Sequence, residues 1–259
     1  GNGMSIFAVG GNVGFFIGPI MAAISLSLFG MHGLAVFLVP TMLCAAALFL
    51  HNGRFKALNA VAVSDAAVME RPERWGLFGL IMVTLSLRSV LSYGFMAFIP
   101  LFLMNVLGQT EAASSLAISL FSVAGMVGTA LSGRTSEAIG AHRLTIACLT
   151  VTALAGAAFA LNGSSVGLAL ALTAVLAIGV DLFYPSAVAV GMGYVPQHLG
   201  MASGLTYGVA ICLGGVAEPF LGMAADAFGL TPVMLTLAAI ALAAALLSVV
   251  TKKLDGTQA

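Results

Sequence analysis

Three charged side chains stand deep inside apolar stretches of this 259-residue chain: Arg88, Asp181 and Glu218. A charge at the centre of a membrane helix costs roughly 2.5–3.5 kcal/mol on insertion scales, so it faces a cavity or a partner. Arg88 stands among Ser86, Ser89, Ser92 and Tyr93, and Ser92, four residues on, shares its helix face. Two chemistries are open to it. It forms an ion pair with Asp181 or Glu218, or its guanidinium lines a cavity and binds an anionic group of a solute. Asp181 has Tyr184 three residues on, followed by Pro185. An acid that takes a proton on one side of a membrane and releases it on the other is what proton coupling minimally needs. Asp181 and Glu218 are equal candidates. Tyr93, Phe95 and Phe98, with Phe183 and Tyr184, either wall a cavity for an amphiphilic solute or face lipid and its interface, the commoner placement.

Other chemistries find little support. Cys44, Cys148 and Cys212 are far apart in apolar runs and form no C-x-x-C, so they read as packing residues. His32, His51, His142 and His198 fall at expected loops with no metal-ligand spacing, which makes them surface residues and leaves no metal site. No cofactor is implied. Asn162-Gly-Ser164 matches a glycosylation sequon, but its connection is short and close to the membrane. No G-x-x-x-x-G-K-[ST] occurs, which argues against an ATP-driven pump. An intramembrane enzyme needs a nucleophile with a base or a carboxylate pair at depth, and Asp181 and Glu218 carry no protease signature. The formal net charge is zero, so there is no basic surface for nucleic acid.

The elements that position these residues follow from composition. Hydrophobic residues make up 61% of the chain and charged ones 7%, with a mean hydropathy of +1.12. A soluble domain carries about 25% charged residues, so the solvent around most of this chain is a lipid bilayer. Runs long enough to cross it predict an all-α, polytopic helix bundle with eight spans. They lie near 4–29, 33–50, 75–107, 112–139, 144–161, 166–194, 201–225 and 232–250. The runs lack the strict alternation of barrel strands. Arg54, Lys56, Arg71 and Arg74, then Arg134 and Arg143, then Lys252 and Lys253 all fall on one side when the spans are counted through. The opposite connections hold no Lys or Arg. Both termini of the chain are therefore expected in the cytoplasm.

The chain also repeats itself. At an offset of 200 residues, Gly14 and Pro19 align with Gly214 and Pro219, and the second span falls on the eighth. Gly133-Arg-Thr-Ser-Glu137-Ala-Ile-Gly140 and Gly222-Met-Ala-Ala-Asp226-Ala-Phe-Gly229 share the pattern G-x-x-x-acid-x-x-G. A six-span repeating unit follows. Residues 1–50 are then the last two helices of one bundle, 51–74 a cytoplasmic linker, and 75–259 a complete second bundle. Four further helices are expected upstream, completing a twelve-helix (6+6) architecture whose site lies between the halves. Gly10, Gly11, Gly14 and Gly18 with Pro19 leave one helix face nearly bare. That face either packs tightly or forms a sealing hinge against its counterpart with Gly214, Gly215 and Pro219.

The residues at this point resemble a known family. Gly10-Gly-Asn-Val-Gly14-x-x-x-Gly18-Pro19 is similar to the glycine-proline motif in the fifth helix of major facilitator superfamily exporters. Gly133 to Arg143, with its acid at Glu137, resembles that superfamily's loop between the eighth and ninth helices, departing from it at Ala138 where the pattern has Arg. Leu87-Arg88-Ser89, Phe98-Ile-Pro-Leu-Phe-Leu103, Gly200-Met-Ala-Ser-Gly-Leu205 and Leu213-Gly-Gly-Val-Ala-Glu-Pro219-Phe-Leu-Gly222 resemble the fosmidomycin-resistance exporters. At position 218 the family-like pattern favours a small residue, and this chain has Glu. The resemblance implies a drug or metabolite exporter of the inner membrane, monomeric once complete, that exchanges a small-molecule substrate for protons. An uptake permease for a small organic anion and a non-transporting membrane scaffold are the alternatives.

Overall fold

The computed structural model describes residues 21, 25, 28–51, 53 and 72–257. Residues 28–51 and those from Arg74 onward belong to separate compact units, and each is taken by itself. In the first, a 3-10 helix over Gly30–Phe37 runs into α1, Leu38–Leu50. The apolar stretch expected as one span is thus built in two pieces. Gly30 opens the 3-10 segment at φ +59°, a conformation glycine adopts without strain. The looser rise of a 3-10 helix, about 2.0 Å per residue against about 1.5 Å for an α-helix, lengthens such a segment.

In the second unit the helices are α2 (Trp75–Asn105), α3 (Glu111–Ile139), α4 (Ala141–Ala160), α5 (Val166–Asp181), α6 (Tyr184–Tyr194), α7 (Leu199–Gly204), α8 (Ala210–Phe228) and α9 (Leu230–Thr257). A π turn, Leu205–Val209, separates α7 from α8. Six helical stretches here are long and apolar enough to cross a membrane: Trp75–Asn105, Ala113–Ile139, Ala141–Ala160, Val166–Tyr194, Pro196–Phe228 and Leu230–Gly256. Each matches an expected span. Of the eight spans read from the sequence, the first lies largely outside the described residues, and the second is a shorter apolar helix, Ala35–Ala47, rather than a helix of membrane-spanning length.

Local signals fix the ends. Thr110 caps α3 by accepting from the Ala113 N–H, with Glu111 in the first turn, where the helix dipole favours an acid. Ser165 caps α5 through the Leu168 N–H. Gly140 and Gly229 both stand at φ +86°, and each is the whole joint between two consecutive helices. The short repeat G-x-x-x-acid-x-x-G therefore ends twice in one backbone conformation. Inside the fourth apolar run of this unit, α5 stops at Asp181 and α6 starts at Tyr184. Pro185 explains the interruption: it has no N–H to return to the Asp181 carbonyl, and its ring suits a helix's first turn.

The helix α2 is central, packing on α3, α5, α6, α8 and α9, while α3 lies along α5 and α4 along α9. Between them sit Leu85, Leu91, Phe95, Phe102, Phe159 and Phe183, all within 1% of fully buried. Phe102 and Phe159 meet with centroids 5.1 Å apart. Lipid offers helices no hydrophobic drive to associate, so close packing must hold them together. Outward-facing Leu154, Val216, Phe220 and Met223 are exposed, as suits contact with acyl chains.

Candidate functional site

The interruption between α5 and α6 is what makes a site. It ends a helix at mid-run with an acid as its final residue, beside backbone carbonyls of a C-terminus. A cation is favoured there by the helix dipole, and Arg88 of α2 supplies it. Its Nη2 donates to Oδ1 of Asp181, and its Nε donates to the Val180 carbonyl at 3.2 Å. Each of the two charged side chains is 13% exposed. The guanidinium carbon lies 4.4 Å from the centre of the Tyr184 ring, so the cation is held by a carboxylate, a carbonyl and a π face together. In such a pair the Coulombic gain roughly offsets desolvation, while removal of one partner costs about 3–5 kcal/mol.

Of the two ion pairs the sequence left open, the structure forms the one with Asp181. Glu218, partly buried on α8 just before Pro219, has no ion-pair partner among the described residues. Tyr184 holds a second peculiarity: its hydroxyl is buried with no hydrogen-bond partner. Its ring meets Tyr207 in a T-shaped contact, centroids 6.3 Å apart at 89°. Tyr207 sits in the middle of the π turn, a helix distortion often found at functional sites. Sequence reasoning missed it, because no residue type marks an i→i+5 turn.

Other expected residues are placed differently. Tyr93 packs on the α8 backbone: a Cβ at Gly214 would lie 2.5 Å from Tyr93 Cδ2 and 2.8 Å from the Ser89 carbonyl oxygen. Gly215 has open space around it and Pro219 is exposed, so of that motif Gly214 makes the close approach. Phe95, Phe98 and Phe183 do not face lipid; they are buried in the bundle, where rings fill the gaps between helices. In the loop motif Gly133 is buried, Gly140 makes the turn, and Glu137 and Arg143 are exposed. Gly10, Gly11, Gly14, Gly18 and Pro19 lie outside the described residues.

His142, expected at the surface, is partly buried: its Nε2 lies 3.1 Å from the Tyr194 hydroxyl and 3.3 Å from Asp255 Oδ2. Arg74 completes the cluster, donating from Nη1 to Asp255 Oδ1 at 2.8 Å and from its backbone N–H to the Tyr194 carbonyl at 2.9 Å. Four helix ends (the starts of α2 and α4, the finish of α6 and α9) are thus tied at one end of the bundle. Asn162 spends its side-chain amide on both backbone groups of Ser165, folding the α4–α5 connection.

Comparison with known proteins adds to this geometry. The family model described as Major Facilitator Superfamily matches residues 1–217 and again 77–258. The fosmidomycin resistance protein of Escherichia coli (strain K12) is 24% identical over 233 residues, which covers 87% of this chain and 56% of that protein. An uncharacterized MFS-type transporter of Bacillus subtilis (strain 168), YfnC, is 25% identical over 248 residues, covering 92% and 60%. The chain therefore spans less than two thirds of the length of these curated relatives.

Proposed function

The chain belongs to the Major Facilitator Superfamily, and on that premise we propose that it carries the coupling pair of a secondary transporter that exports a small organic solute in exchange for protons. The observation that carries this reading is the ion pair of Arg88 with Asp181 across α2 and α5, capped by Tyr184. When Asp181 takes a proton, its charge is lost and Arg88 keeps only the Val180 carbonyl and the Tyr184 ring. A solute that donates a hydrogen bond to the ionised carboxylate loses that acceptor on protonation and is released. Loss of the proton on the other side restores the carboxylate and with it the site for the next solute. Proton and solute thus compete for one carboxylate, which is the minimum arrangement for antiport.

The relative named for fosmidomycin resistance supports export as the direction of transport. Exposure of Arg88 to each side in turn requires alternating access between two six-helix bundles, of which the helices from Trp75 onward form one. Glu218 stands as a second proton site. In this reading Gly214 is the sliding contact of the gate, and residues 51–74 are the link between the halves.

The test is export of fosmidomycin, and of a panel of other toxic anions, from cells expressing the protein. Arg88→Ala is expected to abolish resistance when compared at matched membrane levels, and an ionophore that collapses the proton gradient is expected to stop export. Unchanged export from Arg88→Ala removes Arg88 from the site. Export that survives loss of the gradient removes the proton.

A further inference from the structure

Where α3 crosses α5, two glycines of α3 face the end of α5. A Cβ built on Gly128 would lie 3.3 Å from Cα and from the carbonyl oxygen of Ile178. One turn earlier, a Cβ built on Gly125 would fall onto Oδ2 of Asp181. The carboxylate thus occupies the volume that any side chain at position 125 would fill. Its other oxygen is the one that Arg88 holds.

We infer that Gly125 is a positioning residue for the Asp181 carboxylate, seating one oxygen so that the other meets Arg88. The inference rests on the reading of Arg88 and Asp181 as the coupling pair. Asp is too short to keep its carboxylate in place once a methyl group claims the seat. Moving the helices apart to make room would open the close Gly128–Ile178 packing beside it, at a cost in lost contact. The carboxylate must therefore turn away from Arg88. Helix energetics point the other way: within α3, Ala is favoured over Gly by roughly 1 kcal/mol. A purely structural role for Gly125 accordingly predicts a variant with its pair intact.

Two probes read the pair directly in the full-length protein in membranes. Dicyclohexylcarbodiimide labels protonated carboxyls in apolar surroundings, and phenylglyoxal labels guanidinium groups; mass spectrometry of the peptides assigns each site. Gly125→Ala is expected to raise labelling of Asp181 and of Arg88 several-fold and to reduce proton-driven export. In the Asp181→Asn background the same change is expected to add nothing to Arg88 labelling, since it acts through Asp181. Wild-type labelling in Gly125→Ala, or an additive rise in the double variant, overturns the inference. Should Gly125→Ala not reach the membrane, Gly125→Ser provides the same comparison. If Asp181→Asn exports normally, the coupling reading itself has failed and takes the functional role of Gly125 with it; unchanged labelling alongside a defective Asp181→Asn defeats Gly125 alone.

Discussion

Arg88 rests its guanidinium on the ring of Tyr184, 4.4 Å from centroid to carbon, and the hydroxyl of that ring is buried without a partner. The two facts separate ring from hydroxyl. Tyr184→Leu removes the π face and is expected to weaken the hold on Arg88 by about 0.5–2 kcal/mol, lowering export. Tyr184→Phe keeps the face and deletes an unsatisfied polar atom, so thermal stability in detergent should hold or rise. A Phe variant that loses export would mean that the hydroxyl itself meets the solute.

The ion pair predicts a specific pattern of coupling. Arg88→Ala and Asp181→Asn should each destabilise the protein by about 3–5 kcal/mol, because each leaves a buried group uncompensated. The double variant should be more stable than the sum of the singles implies. Chemical denaturation in detergent measures all three. Simple additivity would show that the two residues do not share one interaction.

A π turn holds one residue more than the α-helix that would replace it. Deleting Gly208 is therefore expected to restore α geometry over Leu205–Val209 while keeping Gly214 against Ser89 and Tyr93. Tyr207 would then turn away from Tyr184. The expected result is a membrane-inserted protein with impaired export, measured as resistance at matched expression. Full export from the deletion would leave the π turn without a role in transport.

At the far end of the bundle, Asp255 joins Arg74 to His142. These side chains are a fifth to nearly a third exposed, so each contact is worth no more than about 1 kcal/mol. Asp255→Asn should lower thermal stability modestly and speed amide hydrogen exchange in the last turns of α9, with export kept. Unaltered exchange there would show that the cluster does not hold the helix end.

The bundle was readable from hydropathy because lipid demands long apolar runs, and each expected span from 75 onward has a helix in its place. Arg88 and Asp181 were visible as misfits in those runs. Their pairing was not, since they stand 93 residues apart and Glu218 offered the same charge. Choosing between the acids required knowing which helix end faces α2. Gly125 was one small residue among 31 glycines, distinguished by what lies across from it. His142 looked like a loop residue because its partners, Tyr194 and Asp255, arrive from two other helices. The burial of Phe95, Phe98 and Phe183 was hidden for a related reason: a ring at an interface with lipid and a ring between helices have the same sequence.

Gly140 and Gly229 each form a complete joint between two helices, in the same conformation. A joint one residue long has no slack to let two helices part at that end, so α3 stays tied to α4 there, and α8 to α9. In the alternating access proposed above, the bending then falls to the two interruptions inside the spans, the gap at Leu182 and Phe183 and the loose turn around Tyr207. Both flank Tyr184, which places the molecule's compliance beside its charge.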